Sequence, residues 1–288
     1  LYEAHKGLLD PLLRFFTDRG RLPSQVELPS SPAIISAFGS IGRAFAVIRR
    51  ATGSETWTTI EHQRNEDLLL YLAQAQFDRP AKFTDLAPEL RGDIRAFHGS
   101  YSKAILGAIR MLRQLADQDL INAACKSVGV GKETPQAIYL HRDAIGQLPT
   151  VLRLYEACAR GLVGEVEGAN IVKLHRYRPQ VSYLCYPGFD KEAHPALASS
   201  AVVNLDEARS SFKDYSQTPN PPILHRKESF VSPDYPGHKK FATLTKQEEA
   251  AGLFANPSKI GFLRDWLLAL DAAGVSIRGH RLVRRRPR

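Results

Sequence analysis

Four of the nine histidines in this chain are followed directly by arginine: His141-Arg142, His175-Arg176, His225-Arg226 and His280-Arg281. Leucine precedes the first three. A guanidinium holds a phosphate through a planar fork, and a neighbouring imidazole adds a hydrogen bond and, near its ordinary pKa, a second charge. The densest polar stretch carries Glu165, Glu167, Asn170, Lys173, His175, Arg176, Arg178, Asp190 and His194. A second, NPPILHRKESF, carries His225, Arg226, Lys227 and Glu228. Three chemistries fit these residue types. In a nucleic-acid groove, His141, Arg142, Lys173, His175, Arg176, Arg178, His225, Arg226 and Lys227 hold phosphates, while Tyr177, Tyr183, Tyr186 and Phe189 stack on bases or sugars. In a hydrolytic centre, Glu165 and Glu167 join His175, Asp190 or His194 around a divalent metal. In a loop-rich domain, the same groups satisfy one another. The acidic spacing of the commonest nuclease core, D…(D/E)-x-K, is missing, so the expectation is binding, with no metal site.

A second pattern is an internal echo. Gly39-Ser40-Ile41-Gly42-Arg43-Ala44 recurs as Gly99-Ser100-Tyr101-Ser102-Lys103-Ala104, with Ile35 and Phe38 before the first copy and Ile94 and Phe97 before the second. Each Ser stands where a helix is N-capped, with a cation at the third position after it. A phosphate at such a start meets free backbone N–H groups, the positive dipole end and Arg43 or Lys103. The run from Gly20-Arg21-Leu22-Pro23 to Phe38-Gly39-Ser40 and Ala44 loosely resembles the small helix-turn-helix repeats beside homing endonucleases, with Ile41 in place of their Trp. The resemblance implies a recognition helix over Ser40–Arg50, with Arg43, Arg49 and Arg50 towards DNA.

Several standard sites are excluded. Gly129-Val130-Gly131-Lys132 lacks the P-loop glycine, since Lys126 stands there, and Glu133 replaces the Ser or Thr. No G-x-G-x-x-G follows a strand, so no cofactor cradle is evident, and H-E-x-x-H, G-x-S-x-G and the kinase motifs are missing. The three cysteines form no C-x-x-C pair, which excludes a Cys-rich zinc module or a disulfide scaffold. No 18-residue apolar run and no signal-peptide pattern occur, so a cytoplasmic protein without a membrane partner is expected. A chain opening on Leu1 reads as processed or as a piece of something longer. Net charge is +9, with a surplus of +2 over residues 1–138 and +7 over 139–288. Such an excess favours a polyanion through counterion release.

These residues must be positioned by an α+β chain: 288 residues, 43% hydrophobic, enough for one large domain or two modest ones. Apolar spacing predicts helices over Tyr2–Arg19, Ile34–Ile48, Glu66–Phe77, Ser100–Leu115 and Pro149–Leu162. Short β-branched runs predict strands at Asn170–Leu174, Val181–Tyr186 and Ala201–Leu205, and helices return at Thr245–Leu253 and Ile260–Ala273. The expected organisation is a mostly helical half at 1–137 with helix-turn-helix-like segments, a loop-rich, short-stranded α+β unit at 138–280, and a basic tail at 281–288.

Three long motifs carry a more specific resemblance. They are YLHRDAIGQLPTVLRLYEACARGLVGEVEGANIVKLHR (139–176), PQVSYLCYPGFDKEAHPAL (179–197) and NPPILHRKESFVSPDYP (220–236), with RGHRLVRRRP at the end. The chain resembles the C-terminal portion of the DNA phosphorothioation-associated methyltransferase family. That family's methyltransferase-like part has no counterpart here, so S-adenosylmethionine would be bound only by a separate or missing domain. The resemblance implies DNA, possibly phosphorothioated, and other proteins of a bacterial modification or restriction system as partners. A metal-dependent DNA nuclease and a protein-interaction module of the same system are the alternatives.

Overall fold

The computed structural model describes residues 1–77 and 81–284. It is α+β, with helices first and an antiparallel sheet after them. Two compact units make it up, Leu1–Arg113 and Gln114–Arg288.

The first unit contains α1 (Lys6–Arg19), α2 (Ser31–Phe38), α3 (Ile41–Thr52), α4 (Ser54–Gln74), α5 (Pro88–His98) and α6 (Tyr101–Gln114). The continuous helix expected over Ile34–Ile48 is in fact α2 and α3, bent by 75° at the Gly39-Ser40 break. Gly39 takes φ +83°, a left-handed conformation that ends α2, and its N–H bonds the Ile35 carbonyl at 2.7 Å. The helix expected at Glu66–Phe77 is the apolar second half of α4, whose polar first half carries no apolar period. Packing centres on Phe16 stacked on Phe45 at 4.2 Å, with Trp57 edge-on to them at 5.6 and 5.4 Å. Arg21 ties this unit together, its Nε donating to Asp93 Oδ1 at 2.7 Å and Nη2 to Glu27 Oε1 at 2.6 Å.

The second unit contains α7 (Gln118–Lys126), β1 (Lys132–Glu133), β2 (Ala137–His141), α8 (Thr150–Val163), β3 (Ile171–His175), β4 (Gln180–Cys185), β5 (Ser199–Asn204) and β6 (Arg209–Asp214). After them come α9 (His238–Ala250), α10 (Leu263–Ala272), β7 (Val275–Arg278) and β8 (Arg281–Arg284). Strands β1 to β6 form an antiparallel meander in sequence order. Register places Leu140, Val172, Tyr183 and Ala201 in one row across four strands. Alternation puts that row on one face, where Leu152, Tyr155 and Ala159 of α8 pack with it. The next row, Tyr139, Lys173, Ser182 and Val202, lies on the opposite face.

Two boundaries differ from the sequence expectation. Residues 114–137 belong with the sheet, because Ile121, Ala124, Cys125 and Val130 are part of its core. Arg281–Arg284 is no loose tail: it is strand β8, paired with β7 from Arg278↔Arg281 to Val275↔Arg284. Arg285, Arg286 and Arg288 of the expected basic tail lie outside the described residues. Among the described residues no single helix is long and apolar enough to cross a membrane.

Candidate functional site

The His-Arg pairs form no common anion site: His141 and His280 flank the Phe189–Phe241 ring pair, but Arg142, Arg176 and Arg226 each pair with a different carboxylate. His141 ends β2, is buried, and packs its ring against Phe189 and Tyr235 at 4.9 and 5.2 Å. Its neighbour Arg142 is exposed, with Nη2 3.5 Å from Glu165 Oε1. His175 ends β3, its Nε2 3.5 Å from Ser182 Oγ, while Lys173 lies over the Tyr139 ring at 5.2 Å. Arg176 turns inward: Nε donates to Asn122 Oδ1 at 2.8 Å, and Nη1 to Glu133 Oε1 at 2.7 Å and the Thr134 carbonyl at 3.0 Å. Arg178 is exposed. Of the proposed base-stacking rings, Tyr183, Tyr186 and Phe189 are buried and Tyr177 is exposed.

The LHRKES segment is likewise committed to its own unit. His225 Nε2 donates to the Ile260 carbonyl at 2.7 Å, and Arg226 Nη1 bonds Glu249 Oε1 at 2.5 Å. Lys227 is 2% exposed; its ammonium donates to the Phe189 carbonyl at 2.6 Å and to the Glu192 carbonyl, and stands 3.0 Å from His280 Nε2. Burial pushes Lys227 down to about 7 and the imidazoles of His175, His225 and His280 to about 4, 3 and 4. These imidazoles therefore carry no second charge near pH 6, and a shared anion site that strengthens as pH falls does not follow.

The carboxylates proposed for a metal are separated too. Glu165 and Glu167 are exposed, Asp190 accepts from Tyr235 Oη at 2.8 Å, and His194 Nε2 lies 2.6 Å from the buried Glu248. Among the described residues no group of three His, Cys, Asp or Glu side chains could hold a metal ion.

The echoed segments behave alike. Ser40 Oγ accepts from the Arg43 N–H at 3.1 Å at the start of α3, and Ser100 Oγ from the Lys103 N–H at 3.3 Å at the start of α6. Gly39 and Gly99 both take positive φ, +83° and +73°, closing α2 and α5. The correspondence extends beyond the motif at the same sixty-residue spacing. Ile34 and Ile94, Ala44 and Ala104, and Ile48 and Ala108 are all fully buried. Arg43 and Lys103 are exposed, as are Arg50 and Arg110 one heptad on. Seven residues is nearly two turns, so each helix presents its two cations on one face.

One site escaped the sequence reading. A pocket of about 380 Å³ lies between α8 and the sheet, lined by Arg142, Glu156, Arg160, Glu165 and Tyr183 among others. It brings together Arg142 and Glu165, which the sequence assigned to different chemistries, and adds Glu156, which it did not single out. Glu156 reads as one of three charged residues in α8, beside Arg153 and Arg160; only the fold reveals its 2% exposure.

Compared with known protein families, curated proteins and solved structures, the chain finds no match in any of the three.

Proposed function

We propose that this chain binds duplex DNA through its helical unit, as the DNA-binding component of a phosphorothioation-linked modification or restriction system. The observation that carries the reading is the repeated corner, in which two Ser-capped helices expose cations at equivalent positions. Among the described residues, Arg43, Arg50, Lys103 and Arg110 neither donate a side-chain hydrogen bond nor pair with a carboxylate, unlike Arg176 and Lys227. A helix start offers a phosphate its unpaired N–H groups, and a helix fits the major groove. The net charge of +9, most of it over residues 139–288, favours a polyanionic partner for the chain as a whole. The phosphorothioation context rests on the three long motifs; within it the partners would be the other proteins of the system, the compartment the cytoplasm, and any S-adenosylmethionine site would lie on another domain.

The test is a titration with duplex DNA across a salt series. Wild-type affinity falls linearly with log salt, with slope about 0.9 per phosphate neutralised. Arg43→Ala and Lys103→Ala each reduce that slope by about 1 and leave the melting temperature nearly unchanged, because both positions are exposed. No binding at low salt, or an unchanged slope in the double variant, overturns the reading.

A further inference from the structure

The pocket beside α8 has a floor and a rim of opposite character. Its floor is Glu156, whose Oε1 is held by Tyr183 Oη at 3.2 Å and Arg160 Nε at 3.4 Å. The other oxygen, Oε2, is buried and has no partner. An unpaired buried carboxylate oxygen costs several times what one hydrogen bond returns, so it is a place where a ligand gains by supplying a donor. Burial pushes the Glu156 carboxyl up from its ordinary value, against the pull of Arg160 and of the Tyr183 hydroxyl. The pocket also faces the C-terminal turn of α8, the negative end of the helix dipole. Donors are therefore favoured at the bottom.

The rim carries two guanidiniums against one carboxylate, Glu165, which stands 3.5 Å from Arg142 Nη2. Arg160 is 56% and Arg142 is 52% exposed at the side chain, both on the pocket wall. Arginine forks suit a phosphate, whose several oxygens accept paired N–H donors. Ile145, Val166 and Val172 add apolar lining on which a ring can pack. The volume is near the small end of the roughly 300–1,000 Å³ typical of small-molecule sites.

We propose that this pocket binds a nucleotide whose base carries an exocyclic amino group, the amine on Glu156 Oε2 and the phosphate at Arg142 and Arg160. An exocyclic amine projects beyond the ring and reaches a single recessed acceptor. Thymine offers only an imide N–H flanked by two carbonyl oxygens, which repel a carboxylate oxygen. A free mononucleotide and a base swung out of DNA share this chemistry.

Calorimetric titration of the full chain with dCMP, dAMP, dGMP and dTMP tests it. Wild type binds the three amino-bearing nucleotides saturably and dTMP more weakly. Glu156→Gln keeps the shape but loses the acceptor charge, and weakens dCMP by about tenfold, the size of one charge-assisted hydrogen bond, while levelling the preference over dTMP. Arg160→Ala removes most of the advantage of dCMP over deoxycytidine. Circular dichroism melting checks that both variants are folded, and the mostly exposed Arg160 keeps the test valid should Glu156→Gln be unstable. In the Arg43→Ala/Lys103→Ala background the titration is unchanged, which separates this site from the DNA reading. A duplex with an unpaired cytosine displaces dCMP if the source is an extruded base and fails to if it is a free nucleotide; either result keeps the pocket. No saturable binding of any of the four by wild type, or equal dCMP affinity in folded Glu156→Gln and Arg160→Ala, overturns it.

Discussion

A cation's role is decided by what accepts its protons, and the sequence does not contain that information. Arg176 and Arg43 are the same residue type, each near a motif that suggests phosphate. Arg176 is 5% exposed at its side chain and bonds Asn122, Glu133 and the Thr134 carbonyl, whereas Arg43 is exposed. Local sequence signals burial only where it is periodic, and an arginine that opens the turn between β3 and β4, next to the exposed Tyr177, has no such signal. Glu156 was illegible for the converse reason: with Arg160 four residues on it reads as a solvated ion pair, although only the arginine is exposed. Arg176→Lys should therefore behave as a structural change. Lysine has no fork: its donors all sit on one nitrogen, which cannot stand in both for Nε on Asn122 and for Nη1 on Glu133 and the Thr134 carbonyl. Urea unfolding should register a loss of roughly 2–4 kcal/mol, while DNA affinity of the folded fraction stays at the wild-type level. A stable variant with weakened DNA binding would return Arg176 to the groove reading.

Elements were legible where their signals are local. Ser40 and Ser100 announce helix starts because an N-cap bond spans only three residues, and both bonds are present. Strands β3, β4 and β5 were visible as β-branched runs. Strand β6, RSSFKD, is exposed at every position, and so shows no apolar alternation to read. Hairpin β7–β8 was hidden by its own charge, since Arg281 and Arg284 read as part of a basic tail. The corners between helices offer a test at this scale. Gly39 and Gly99 both occupy left-handed backbone, but their surroundings differ. A Cβ at Gly99 meets nothing within 4 Å, so Gly99→Ala pays backbone strain alone, about 1–2 kcal/mol. A Cβ at Gly39 would stand 2.9 Å from Arg43 Nη1, so Gly39→Ala adds a displaced guanidinium to the same strain. The expected pattern is similar loss of melting temperature in both, with an added change in DNA affinity only for Gly39→Ala. Equal DNA affinity in the two variants would separate the Arg43 position from binding.

At the scale of the whole chain, titratable groups divide unevenly between the two units, and so should acid stability. In the second unit burial lowers His175 to about 4, His225 to about 3 and His280 to about 4. Between those values and the ordinary imidazole range near 6.5, the unfolded chain binds protons that the native state does not. Stability is then lost as pH falls through that window, and the loss is complete below the native values. Glu156 acts in the opposite sense, its raised carboxyl taking up a proton early, but it is one group against four, since burial lowers His141 as well. The first unit is arranged differently. Its depressed carboxyl is Glu27, held at about 2 chiefly by the Arg21 hydrogen bond, and that contribution is present above the ordinary carboxylate range and is lost only below it. His98 is the one imidazole there, among the described residues, that burial lowers. The chain's two tryptophans report on the units separately, Trp57 buried in the first and Trp266 buried beside His194 and His225 in the second. Urea melts followed by Trp57→Phe fluorescence should show the Trp266 midpoint falling steeply from about pH 7 to about pH 5, while Trp57→Phe's counterpart, Trp266→Phe, shows the Trp57 midpoint nearly level until about pH 4. Parallel decline of both midpoints over the upper window would mean that the buried imidazoles of the second unit are not the source of acid lability, and that the two units do not respond to protons independently.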